Sequence, residues 1–160
     1  MTSPFPPTVR PSFPAARTIN LVGAAVLIAG FFLPWYVSRA ASGTTSLRGF
    51  ELGGFTPEVF LLPAIGLVLA IGSVLQWSGA RFPDGSRILV VGTLGLGFVA
   101  LAVLIEGGVR FDPDALTLFG ASFWNAVGLG WYVSVLGAAL VLAAGAFELV
   151  SHRDRGARAA

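Results

Sequence analysis

Ala29-Gly30-Phe31-Phe32-Leu33-Pro34-Trp35-Tyr36 decides how this chain is read, because a run of about 20 apolar residues ends there in a proline and two amphipathic aromatics. Trp and Tyr favour the depth at which a ring meets lipid and its N–H or O–H meets headgroup water. The pair is therefore expected at a membrane interface rather than in a core. The run behind it, Thr18 to Val37, measures ~30 Å as a helix, the thickness of a bilayer's hydrocarbon core.

Composition agrees. Of 160 residues, 55% are hydrophobic and 11% charged, against roughly 25% charged in soluble domains, which excludes a water-soluble globule. Three further apolar blocks have spanning length, at residues 57–77, 88–106 and 126–150. The expected fold is all-α: an antiparallel bundle of four transmembrane helices. Residues 1–17, rich in proline, read as a disordered tail, and 151–160 as a polar one.

The connections carry their own signals. Thr56-Pro57-Glu58 opens the second span, with Thr as N-cap, Pro at the first helical position and Glu beside the positive end of the helix dipole. Pro83-Asp84-Gly85 reads as the tight turn before the third span, and Glu106-Gly107-Gly108 as its end. In the first outer loop, Ser42-Gly43-Thr44-Thr45-Ser46 reads as turn chemistry, and the residues flanking it, Tyr36-Val37 and Leu47 to Leu52, allow a short β-hairpin.

All ten basic residues are arginine. With both termini inside, seven lie on the cytoplasmic side (Arg10, Arg17, Arg81, Arg87, Arg153, Arg155, Arg158) and three outside (Arg39, Arg48, Arg110). The excess places both termini in the cytoplasm, as expected of a multi-pass protein of a bacterial inner membrane. Trp35, Tyr36, Trp124, Trp131 and Tyr132 then fall on the outer side and, with Pro34, form the expected interfacial anchor. The arginines are spread over tails and loops, so no nucleic-acid partner is expected.

Small residues four apart (Ala25 and Ala29, Gly66 and Ala70, Thr93 and Gly97, Ser134 and Ala138) predict close helix packing, with an outward-facing pair as the route to self-association. In the fourth span Glu148 shares a face with Ser134, Gly137, Val141, Ala144 and Gly145, and His152 lies one turn on. Glu148, His152 and Glu106 are the candidates for an ion pair or proton site. Asn20 is expected to bond a neighbouring helix.

The middle thirds of the spans hold no Asp, Glu, His, Lys, Arg or Cys. No nucleophile, acid–base pair or metal set is available there, so no enzyme and no cofactor are expected. With no cysteine anywhere, disulfides and thiolate sites are excluded.

Phe32-Leu33-Pro34-Trp35, Gly49-Phe50-Glu51-Leu52 and Gly128-Leu129-Gly130-Trp131-Tyr132 resemble segments of small bacterial four-helix membrane proteins, and the layout is similar to that of claudin-type proteins. That resemblance implies a tryptophan at the first helix–loop junction and a small sheet in the first outer loop. The Gly-Leu-Trp segment and cysteine pair of claudins are absent, so only architecture is carried over. The expected role is an accessory or scaffold subunit that binds another membrane protein or itself within the lipid bilayer. A passive channel or a small-solute or proton carrier beside Ser134 and Glu148 is the alternative.

Overall fold

The computed structural model describes residues 14–40, 43–52, 57–78, 85–110 and 127–159. The chain forms α1 (Pro14–Phe32), a hairpin of β1 (Pro34–Ala40) and β2 (Gly43–Arg48), a single helical turn α2 (Gly49–Leu52), a 3₁₀ turn (Pro57–Phe60), α3 (Leu61–Trp77), α4 (Gly85–Arg110) and α5 (Leu129–Ala159). It is mostly helical. Three apolar stretches are long enough to cross a membrane: Ala15–Phe32, Pro57–Trp77 and Leu129–Val150. Within α4, Thr93–Ile105 is an apolar stretch of the described residues.

Local chemistry sets the helix ends. Pro14 opens α1 because the first turn has no carbonyl waiting for its missing N–H. Pro34 forces the preceding residue out of helical conformation, so α1 ends at Phe32 and not at Val37, and β1 begins at once. α2 is capped by its own carboxylate: the Arg48 backbone N–H donates to Glu51 Oε2 at 2.6 Å, half of a capping box.

Further boundaries differ from the sequence reading. α1 begins at Pro14, inside the 1–17 stretch expected to be a disordered tail, and α5 begins at Leu129 rather than at residue 126. Thr44, Thr45 and Ser46 belong to β2 rather than to the turn, as β-branched residues prefer. Gly85 is the first residue of α4. Gly107 and Gly108 do not stop α4, which runs on to Arg110. The polar segment after Val150 continues α5 to Ala159, where a separate tail was expected. Glycine and charge weaken a helix but do not end one that neighbouring turns support. Thr56 and the 111–126 segment, with Asp112-Pro113-Asp114, Phe119, Phe123 and Trp124, lie outside the described residues.

Contacts along the helices fix their directions. Gly23 lies against Gly137 and Val141 while Gly30 lies against Ser134 and Gly130, so α1 and α5 are antiparallel. α1 is antiparallel to α3 as well, since Gly66 meets Ala24 and Ile28, and Asn20 bonds Ser73. α4 opposes α5, with Gly97 on Leu142 and Leu94 on Gly145. α3 also touches α4, which completes an up-and-down arrangement. The core runs through its centre, from Ala24 and Leu27 through Leu62, Leu104 and Val141 to Trp35 at the hairpin end.

Candidate functional site

The chain concentrates specific contacts in two places, one at each end of the helices. The first is at the hairpin, where the β1–β2 register slips between Pro34 and Tyr36. A regular strand sends neighbouring side chains to opposite faces; this bulge lets both Trp35 and Tyr36 point inward, at 1% and 6% exposure. Trp35 is thus a core residue and not the lipid-facing anchor that the interfacial preference of Trp suggests.

Trp35 Nε1 donates to the Gly30 carbonyl at 2.9 Å, one of the orphan carbonyls at the end of α1. The Leu33 N–H donates to the same oxygen at 3.2 Å. From the other side the Gly128 N–H donates to the Trp35 carbonyl at 2.6 Å, and Val127 bridges to Tyr36. Gly49 lets α2 close on the indole: a Cβ there would stand 3.0 Å from Trp35 Nε1. Trp131 repeats the device one helix along, donating from Nε1 to the Leu104 carbonyl at 3.2 Å and joining α5 to α4. Burial pushes the Tyr36 phenol up to about 12, so it stays neutral over the physiological range.

Of the other expected anchors, Pro34 and Trp131 are half-buried and Tyr132 is exposed, packed edge-on to Trp131 with ring centres 5.3 Å apart. Trp77, at the opposite end, is exposed.

The second concentration is polar and lies between α1 and α3, at the end away from Trp35. Asn20 Nδ2 donates to Ser73 Oγ at 3.1 Å, both side chains buried. One turn earlier Arg17 Nη1 donates to the Gln76 carbonyl at 3.1 Å, placing a cation on the negative end of the α3 dipole. The sequence named Asn20 as an interhelical donor; its partner Ser73, and the use of Arg17 as a cap, were not foreseen.

Glu148 is half-buried beyond the buried face of Ser134, Gly137, Val141, Ala144 and Gly145. Glu106 falls within α4 and His152 within α5; pairings of their side chains lie outside the described residues. Ser134 donates its hydroxyl to the Gly130 carbonyl at 2.9 Å and is fully buried. Among the small pairs, Gly66, Thr93, Gly97, Ser134 and Ala138 face inward and Ala70 is half-buried. Ala25 and Ala29 are exposed, and the inner face of α1 is instead carried by Gly23 and Gly30. Among the described residues no three His, Cys, Asp or Glu side chains come together in a way that holds a metal.

No family model, curated protein or solved structure matches the chain.

Proposed function

We propose that this chain is a non-enzymatic integral membrane protein, an accessory or scaffold subunit that acts through helix packing and its outer-loop contacts with another membrane protein or a second copy of itself. In this reading α4 is the third of four spans, and both termini lie in the cytoplasm of a bacterial cell. The layout is claudin-like in architecture, with no barrier function attached to it.

One observation carries the preference for a scaffold over a carrier. Where the carrier reading needs a path, at Ser134, the α1 and α5 backbones meet through Gly30 and Gly130, and the serine hydroxyl is returned to its own helix. A seam closed by backbone has no room for a solute. Recognition then falls to the outside, where β2 is exposed along Gly43 to Ser46 and α3 presents Leu67, Val68, Ile71 and Val74.

Mild detergent extraction of native membranes followed by mass measurement of the intact complex tests this directly: a stoichiometric complex is expected, and a bare monomer contradicts it. Proton or cation flux in liposomes that is abolished by Glu148→Gln would move the assignment to a carrier.

A further inference from the structure

We propose that the α1–α3 seam holds a buried water molecule, hydrogen-bonded to the Asn20 side chain and reached from the Arg17 end. Asn20 is 8% exposed, and its Nδ2 is committed to Ser73 Oγ. Its Oδ1, shielded from solvent, receives no hydrogen bond from the described residues. A buried amide oxygen without a donor is costly, and water is the commonest group that relieves it, provided two to four polar partners converge.

The partners are at hand. The Ser73 hydroxyl, with a proton of its own to donate, touches Asn20. The Gln76 carbonyl, one turn further along α3, takes one bond from Arg17 and has a second lone pair. Arg17 is itself half-buried, one turn of α1 before Asn20, so polarity is continuous from the seam to the solvent side. In the other direction it stops. Gly66 packs on the Ala24 carbonyl and Ile28, and Leu27 and Leu62 are fully buried. The site is therefore a hydrated recess one or two turns deep and not a channel.

Ser134 supplies the internal contrast, because it is as buried as Ser73 yet its hydroxyl bonds Gly130 and its surroundings are helix backbone. The inference does not depend on the scaffold role and survives its failure.

The chain lacks cysteine, so single thiols report local water without background. Ser73→Cys and Ser134→Cys, both nearly isosteric, are exposed in membranes to a small methanethiosulfonate reagent that needs the thiolate, a species formed only where water reaches. Ser73→Cys is expected to react at least about tenfold faster than Ser134→Cys. Adding Asn20→Leu, which fills the volume and removes the acceptor, is expected to slow Ser73→Cys to the Ser134→Cys rate. Equal, slow reaction of the two single variants overturns the proposal. So does fast reaction of Ser73→Cys that Asn20→Leu leaves unchanged, because the water would then not belong to Asn20.

Discussion

Gly30 and Ser134 face each other across the α1–α5 seam so closely that a Cβ on Gly30 would stand 2.8 Å from the Ser134 backbone nitrogen. One turn away the contact recurs, with a Cβ on Gly137 falling 2.7 Å from the Leu27 nitrogen. These glycines let two helix backbones touch, which in a bilayer replaces the hydrophobic effect as the source of association.

Substituting them has a graded outcome. Gly30→Val and Gly137→Val are expected to destabilise the protein by about 2–4 kcal/mol, since the obstacle is backbone and cannot rotate away. Gly72→Ala and Gly95→Ala, where nothing lies within 4 Å, are expected to be neutral or stabilising by up to about 1 kcal/mol. Thermal unfolding of the four variants in one detergent separates the classes.

Trp35 belongs to the core, so its loss is expected to be structural. Trp35→Phe removes the bond to Gly30 and costs about 1–3 kcal/mol, and Trp35→Ala about 3–5 kcal/mol. Tyr132→Phe, at an exposed position, is expected within about 0.5 kcal/mol of wild type. Chemical denaturation followed by far-ultraviolet circular dichroism gives the ranking.

Tyr36 makes stability fall in alkali. Burial holds its phenol at about 12 when folded, against an ordinary value of 10.0. The folded state therefore keeps a proton that the unfolded state releases. The contribution is complete below pH 10 and disappears as pH rises to about 12, an expected loss of about 1–2 kcal/mol once screening by nearby water is allowed for. With Tyr132→Phe leaving Tyr36 as the single tyrosine, phenolate absorbance is expected to titrate near 12; a midpoint near 10 would place Tyr36 in water.

Asn20 and Ser73 are expected to couple. Ser73→Ala leaves the Asn20 amide with a further unmatched group and costs about 1–2 kcal/mol, while Asn20→Leu combined with Ser73→Ala recovers part of that loss. A double-mutant cycle on unfolding free energies measures the pair; strict additivity would mean that the bond contributes nothing.

Much of this was legible in the residues. Apolar runs located three stretches of spanning length, and the residues around Ser42 to Ser46 allowed a hairpin that forms, although its strands extend further into those residues than expected. What stayed hidden depended on tertiary contact. The interfacial preference of Trp put Trp35 in the headgroup layer; the bulge that turns it inward arises from pairing with β2. Spacing by four selected Ala25 and Ala29 on the exposed face of α1, whereas the contact face is set by Gly23 and Gly30, seven apart, because only backbone contact with α5 makes a glycine there useful. Helix ends at Arg110 and Ala159 were missed because local signals underrate a helix already supported along most of its length.

The central claim is a four-span protein with its hairpin outside, and α4 is its decisive element, because the other three helices already carry described apolar stretches of spanning length. Single cysteines at Ser42, Ser86 and Ala115 in this cysteine-free chain, labelled with an impermeant maleimide on intact cells, read its topology directly. The account predicts labelling at Ser42 and Ala115, with Ser86 reacting only after permeabilisation. Labelling of Ser86 and Ala115 from the same side would show that α4 does not cross the membrane, and would contradict the four-span fold.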